Sequence, residues 1–499
     1  MKNTVNKPPQ LNHDQVEAIV AQVMRQLSSP SPTPTTCGCA TPSCACTTPS
    51  TLTPPSPGHD GIFTTLDEAI TAAEIAFRHF SALPLAQRQT IINQMRLTSQ
   101  QHAAQLAQLA LDESGMGRLD DKISKNLLAA TKTPGPEILS ATSWSGDNGL
   151  TLVEFAPYGL IGALTPSTNP TSTIICNSIG MVAAGNAVVF NAHPTTKTAT
   201  NTTIQLLNRA IQTAGGPPNL LTAIAHPTLE SATTLMHHPA IRLLVVTGGA
   251  AVVRAAMSSG KRAICAGPGN PPVIVDETAS IDQAARDIVH GGSFDNNIVC
   301  TTEKETFAVA SICDKLLQAM PAHGALHLPS WQFNRLWRAV TTKDRGPNQP
   351  ADMNKNFIGK DAHHLLATIG INAGPEIRQI VAEVPADHPA VWTEQMMPLM
   401  PVVRVPHTQR AIELAVAAEH GYRHTAIMHS KHLDNLSTMA RTINCSIFVK
   451  NGPNIAGLGA GGEGFCSLTI ASPTGEGLTE PRSFSRIRRC TLVDAFRIV

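Results

Sequence analysis

Ile241-Arg242-Leu243-Leu244-Val245-Val246-Thr247-Gly248-Gly249 is an aliphatic, largely β-branched run closed by a glycine pair. Branched side chains pack well on a pleated surface and lose rotamer freedom in a helix, so the run predicts a strand. It is apolar enough to be buried on both faces, which is the condition of a parallel sheet covered by helices. Ala187 to Phe190 and Val273 to Val275 repeat the pattern. Amphipathic helix patterns alternate with them. Thr65 with Glu68 forms a capping box before Leu66, Ala69, Ile70, Ala73 and Phe77, and Ser280 with Gln283 forms another before Ala284, Ala285, Ile288 and Val289. From Ile62 onward this alternation predicts a layered α/β fold with two mostly parallel sheets.

The chain has 499 residues, 42% hydrophobic content and 4% aromatic, enough for large aliphatic cores and three domains or fewer. A net charge of +1 with 15% charged residues gives no field to recruit nucleic acid or an anionic membrane. The apolar stretch Thr173 to Phe190 is interrupted by Asn177, Ser178, Gly180, Gly185 and Asn186, so no membrane span is expected. The amino terminus lacks a charged segment followed by a purely apolar one, which makes the cytoplasm the expected compartment and disulfides unexpected.

Chemistry is expected at Gly291-Gly292-Ser293-Phe294-Asp295-Asn296-Asn297-Ile298-Val299-Cys300-Thr301-Thr302-Glu303-Lys304-Glu305. A cysteine behind a glycine- and asparagine-rich turn is a candidate nucleophile, with a buried structural thiol as the alternative. A second candidate is Asn169, where Thr168-Asn169-Pro170 opens a helix and the helix end favours negative charge. No Gly-x-Gly-x-x-Gly fingerprint follows a strand, and Gly457 to Gly464 reads equally well as a series of tight turns.

The first residues form a separate unit. Asn12 to Leu27 carries Val16, Ile19, Val20, Val23, Met24 and Leu27 on one helical face, with Asn12 and Gln15 at its start. Ser28 to Gly58 is dominated by Pro, Thr and Ser, a composition that predicts a disordered tether. A short amphipathic helix on a tether reads as an addressing peptide for a partner. Within the tether, Cys37-Gly38-Cys39 and Cys44-Ala45-Cys46 could hold zinc or an iron–sulfur cluster, but the Cys-x-Cys spacing departs from the usual Cys-x₂-Cys knuckle. No metal is assigned, and a redox-sensitive or merely tolerated thiol cluster is the larger expectation.

Five runs together carry a resemblance: Thr165-Pro166-Ser167-Thr168-Asn169-Pro170, Val246-Thr247-Gly248-Gly249, Gly269-Asn270-Pro271-Pro272-Val273, Phe294-Asp295-Asn296-Asn297 and Val493-Asp494-Ala495-Phe496-Arg497-Ile498-Val499. From about Ile62 to the carboxy terminus the chain resembles the aldehyde dehydrogenase superfamily. Within it, the runs are similar to the CoA-acylating enzymes of bacterial microcompartments that act on acetaldehyde or propionaldehyde. The resemblance implies two Rossmann-like parallel-sheet domains and an oligomerisation strand segment around Cys490 to Val499, in a homodimer or homotetramer. The expected organisation is a targeting helix at 1–27, a linker at 28–61, a cofactor-binding domain at 62–271, a catalytic domain at 272–445, and a return to the cofactor domain with the oligomerisation segment at 446–499. It further implies that Cys300 attacks the aldehyde, and that Asn169 and the Cys300 N–H hold the oxyanion. Hydride leaves to NAD⁺, and a thioester on Cys300 passes to coenzyme A. Glu394 would hold the nicotinamide ribose, with Thr165, Pro166, Thr247, Gly248 and Gly249 beside the cofactor. The amino-terminal helix resembles an encapsulation peptide that binds shell proteins or co-packaged enzymes in the microcompartment lumen, through Val16, Ile19, Val20, Val23 and Leu27.

Two departures matter. Hydrolytic members open the segment Ala266-Gly267-Pro268-Gly269-Asn270 with a glutamate that activates water, and here that place is Ala266. Without that base, thiolysis by CoA should win over hydrolysis, unless Glu303 substitutes. Many relatives carry a lysine after the strand equivalent to Ala187 to Phe190, where this chain continues Asn191-Ala192-His193-Pro194, so NAD over NADP is inherited from the resemblance. His193 itself reads as an ordinary loop histidine. The alternatives left are a hydrolytic enzyme giving free acid and an inactive member that organises the compartment.

Overall fold

The computed structural model describes residues 60–499. Six parallel strands form a first sheet in the order β1 (Ile62–Phe63), β6 (Leu221–Ile224), β5 (Ala187–Asn191), β4 (Leu160–Leu164), β7 (Ile241–Thr247) and β8 (Ala263–Ala266). The three strands read from the sequence are present, and β7 has the bounds its apolar run predicts. β4 and β5 are buried along their whole length, with helices on both faces of the sheet supplying the cover. Chain order runs outward from β4 in both directions, so the crevice beyond the carboxyl ends of β4 and β7 is a topological switch point, where open α/β sheets bind ligands.

Seven parallel strands form the second sheet: β11 (Ala325–His327), β14 (Gln379–Glu383), β15 (Leu399–Val405), β10 (Glu305–Val309), β9 (Pro272–Val275), β16 (Thr425–His429) and β17 (Ile447–Lys450). A return to the first sheet was expected from residue 446. The chain instead stays in the second sheet through Lys450, because Ile447–Lys450 pairs with Thr425–Met428. An antiparallel sheet joins β2 (Thr142–Gly146), β3 (Gly149–Pro157) and β20 (Ser485–Val493). Its last strand starts earlier than the expected segment around Cys490 to Val499 and ends at Val493. Two small hairpins, β12 (Thr341–Lys343) with β13 (Asp352–Met353) and β18 (Ile470–Ala471) with β19 (Gly477–Leu478), complete the sheets.

Five helices matter below: α1 (Leu66–Ser81), α2 (Leu119–Lys132), α3 (Pro170–Ala183), α4 (Ala250–Met257) and α5 (Ile281–Ser293). The Thr65/Glu68 capping box of α1 is formed. That of α5 is not: Ser280 makes no side-chain cap bond, and the Gln283 amide donates instead to the Asn451 carbonyl at 2.9 Å. The apolar stretch from Thr173 is resolved as most of α3, a turn at Gly185 (φ +90°) and β5, and among the described residues no helix is long and apolar enough to cross a membrane. The targeting-helix residues Val16, Ile19, Val20, Val23 and Leu27, the tether, and Cys37, Cys39, Cys44 and Cys46 lie outside the described residues.

Candidate active site

Three consecutive residues before the cysteine, Asp295, Asn296 and Asn297, have left-handed backbones, with φ of 47°, 53° and 66°. L-residues rarely adopt this region, and Asp and Asn bear it best because their short polar side chains bond locally. The Asn297 amide donates to the carbonyls of Gly292 and Glu303 at 2.7 and 2.8 Å, and Asn296 donates to Gly359 O and the Asp361 carboxylate. The Asp-Asn-Asn motif is therefore a conformational requirement: it ends α5 and delivers Cys300, partly buried, to the amino-terminal edge of the second sheet.

Neighbouring strands bring the other groups to that edge. Lys304 N–H donates to Pro271 O as β10 pairs with β9, so the segment before β9 runs beside the cysteine. A Cβ at Gly269 would stand 2.8 Å from the Cys300 carbonyl oxygen and 3.1 Å from the His424 ring, so only glycine fits there. His424 precedes β16 and Glu394 precedes β15, the strands next to β9 and β10. The Glu394 carboxylate accepts from Gly269 N–H at 3.4 Å, a long bond that leaves it available to a ligand.

Burial dominates the electrostatics. It pushes the Cys300 thiol up to about 12; the charge of Glu394 adds to the rise, while Lys304 and Lys125 oppose it. Lys304, fully enclosed, donates to Thr302 Oγ1 at 3.0 Å and to Asn297 O at 2.8 Å, and also to Asn297 Oδ1. Burial also lowers that ammonium to about 8. Burial first, then Lys304, holds His424 down to about 4, so its imidazole is neutral; Nδ1 meets Thr425 Oγ1 and Nε2 has no partner. Glu303 is raised to about 7 by burial, but both its oxygens are taken, by Asn454 N–H at 2.8 Å and Asn454 Nδ2 at 2.6 Å. It is a structural clasp between β10 and the loop after β17, and no substitute for the base missing at Ala266, which ends β8 as a buried strand residue.

Asn169 is the residue before α3, as its motif predicts, yet its side chain caps nothing. Its Oδ1 instead accepts from Lys125 Nζ at 2.5 Å, and its Nδ2 donates to Thr168 Oγ1 at 3.1 Å. Thr165 and Pro166 follow β4, Thr247 ends β7 with Gly248 and Gly249 after it, and these strands are paired through Leu164 and Val246, so all five residues meet at the switch point. Thr165 Oγ1 is buried without a partner there, and a Cβ on Gly249 would meet nothing within 4 Å in front of α4. An orphaned hydroxyl and open space at a helix start fit a dinucleotide. The Gly248 N–H is already spent on Ala266 O. His193 is exposed and caps a single turn by accepting from Thr195 N–H. Gly459, Gly461 and Gly464 have φ of 85°, 73° and 107°, the turn reading of that run.

Several residues were missed by sequence reasoning. Lys122, Lys125 and Asn126 are buried on α2, where a helix whose lysines share its inward face was the available signal. His424 carried no signal, because only the adjacency of β16 to β9 brings it to Cys300. Asp361, His363 and His364 form the one metal-ligand grouping among the described residues, but Asp361 already accepts from Arg118 and Asn296.

The profile of the aldehyde dehydrogenase family matches residues 42–325. The chain is 49% identical over 448 residues to the acetylating acetaldehyde dehydrogenase EutE of Salmonella typhimurium, an alignment covering 89% of this chain and 95% of the relative. A propionaldehyde dehydrogenase from the Clostridium phytofermentans fucose utilisation bacterial microcompartment superposes with a TM-score of 0.85 at 46% identity, over 88% of this chain and 100% of that one. A Rhodopseudomonas palustris propionaldehyde dehydrogenase, solved with bound CoA and an acylated cysteine, superposes with a TM-score of 0.84 at 46% identity, over 87% and 98%.

Proposed function

The chain belongs to the aldehyde dehydrogenase family, and on that footing we propose that it oxidises acetaldehyde or propionaldehyde with NAD⁺ and delivers the acyl group to CoA. The acylating reading is carried by one observation: no carboxylate stands at Ala266, and the nearest substitute in sequence, Glu303, is held on both oxygens by Asn454. Water therefore has no base, whereas a thiol is more acidic and intrinsically more nucleophilic.

Cys300 gives up its thiol proton to solvent and its Sγ adds to the carbonyl carbon as the C=O π bond opens, and the oxygen that gains charge is met by Asn169 Nδ2 and the Cys300 backbone N–H. Donors fixed before the reaction act on charge that develops only in the transition state, each typically contributing about 10²–10³ in rate. Thr165, Pro166, Thr247, Gly248, Gly249 and Glu394 hold the cofactor. Bound NAD⁺ supplies the hydride acceptor. The thioester left on Cys300 is attacked by the CoA sulfur, the bond from the acyl carbon to Cys300 Sγ breaks, and the proton that the CoA thiol gives up returns to the Cys300 sulfur, which burial favours as the thiol.

The working site of the chain is a microcompartment lumen within the cytoplasm, addressed by the helical face of Val16, Ile19, Val20, Val23 and Leu27. A homodimer or homotetramer through the antiparallel sheet is supported by Ile487, Leu492 and Val493, which are exposed on β20, and light scattering of the purified chain tests it.

The test follows NADH absorbance with purified protein, acetaldehyde and NAD⁺, with CoA added midway and propionaldehyde in parallel. Steady turnover beginning only with CoA and yielding acyl-CoA is expected. Steady turnover without CoA, yielding free acid, sinks the reading.

A further inference from the structure

Helix α2 presents Asp121-Lys122-Ile123-Ser124-Lys125-Asn126 to the site, where Asp121, Lys122 and Lys125 converge on Asp295 while Lys125 and Asn126 also reach the start of α3. The Asp121 carboxylate accepts the Asp295 N–H at 2.9 Å, and Lys122 Nζ lies 3.2 Å from the Asp295 carboxylate. The Asn126 side chain accepts from Thr171 Oγ1, in the first turn of α3, at 2.8 Å. Lys125 does two things at once. Its ammonium pairs with Asp295 and donates to Asn169 Oδ1 at 2.5 Å. Lys125 and Asp295 are both buried, and Lys122, Lys125, Asn126, Thr168 and Asn169 line one small pocket.

An ammonium can only donate, so the amide atom facing Lys125 must be the oxygen. Asn169 Nδ2 is thereby turned the other way, where one N–H is used by Thr168 Oγ1 and the second is free. The buried positive charge also draws electron density toward Oδ1, which makes the opposite N–H a better donor in a region of low effective dielectric. We propose that Lys125 is a positioning residue for acyl transfer, locking and polarising the Asn169 amide so that Nδ2 faces the oxyanion on the substrate. The inference rests on Asn169 being an oxyanion donor. Burial lowers Lys125 to about 8, with Asp295 and Asp121 raising it and Lys122 lowering it further, so the charge is largely kept at neutral pH.

A double-mutant cycle on the full-length enzyme tests it, reading the first-turnover NADH burst with acetaldehyde and NAD⁺, then steady turnover with CoA. Asn169→Ala should slow the burst about 10²-fold or more. Lys125→Met should slow it at least about tenfold, with KM for NAD⁺ and CoA within about twofold of the parent. In the Asn169→Ala background, Lys125→Met should cost less than about threefold more, since its route of action is gone. Losses that multiply in the double variant, or a Lys125→Met burst at the parent rate, overturn the proposal. A full burst in Asn169→Ala instead overturns the oxyanion reading beneath it. Melting temperatures accompany each variant. If Lys125→Met does not fold, Lys125→Gln, whose amide can still donate to Oδ1 but carries no charge, enters the cycle: a burst slowed by about threefold or more, with no further loss in the Asn169→Ala background, is expected, and a loss that multiplies in the double variant overturns the proposal.

Discussion

His424 shows how one buried side chain couples the site to stability. Its imidazole stays neutral in the folded protein down to about 4, whereas an exposed histidine takes up a proton near 6.5. Between those values the unfolded chain binds the extra proton, so stability is lost as pH falls through that window and is intact above it. A shift of this size is worth up to about 3 kcal/mol. His429, held down to about 4 by burial and then Arg286, adds a loss of the same sign. Glu303, held up to about 7 by burial, works with the opposite sign over the same window, so the His424 share is read by difference: between pH 7 and pH 4.5 the melting temperature of His424→Gln should fall less, or rise more, than that of the parent. An unchanged slope in the variant would mean that the ring is solvated. At this scale legibility from sequence was uneven. The sequence singles out Cys300 and Asn169 as candidates because their neighbours constrain them locally, whereas the burial of Lys125 depends on the packing of α2 against α3.

The turn of Asp295, Asn296 and Asn297 is the element on which the placement of Cys300, the proposed nucleophile, depends. Asn297 is fully buried, holds a left-handed backbone and binds two carbonyls and the Lys304 ammonium. Asn297→Ala should therefore cost about 3 kcal/mol or more, from the strained backbone and from a buried charge left short of a partner. Chemical denaturation measures this, and a loss below about 1 kcal/mol would show that the turn holds without its side chain. Elements differed in how far the sequence specified them. β7 was legible to the residue because its apolar run meets glycines at the end. The cap of α5 was not: Ser280 and Gln283 have the right spacing, but Gln283 finds Asn451, a partner 168 positions away that no local pattern encodes.

For the whole molecule, the proposed function divides catalysis and address between different stretches of chain. Cys300, Asn169 and Glu394 all lie in the folded body, so Val20→Asp should leave NADH formation by the purified protein unchanged while abolishing its co-purification with microcompartment particles. Equal packaging of the variant would rule out the amino-terminal helix as the address. The two sheets were foreseeable from alternating strand and helix patterns, whereas the passage of Ile447–Lys450 into the second sheet depended on pairing with Thr425–Met428, which apolar content alone leaves open. The late strand β20 pairs with β3 from Ser485 opposite Pro157 to Val493 opposite Gly149, Phe484 O accepts from Asn186, and the Phe484 ring packs against Gly180 on α3. On a translating ribosome, the flank of α3 is thus bare while the entire second sheet is still being made. The nascent chain therefore holds α3 without this cover until residue 484 has emerged, and in that interval an apolar flank is open to wrong partners.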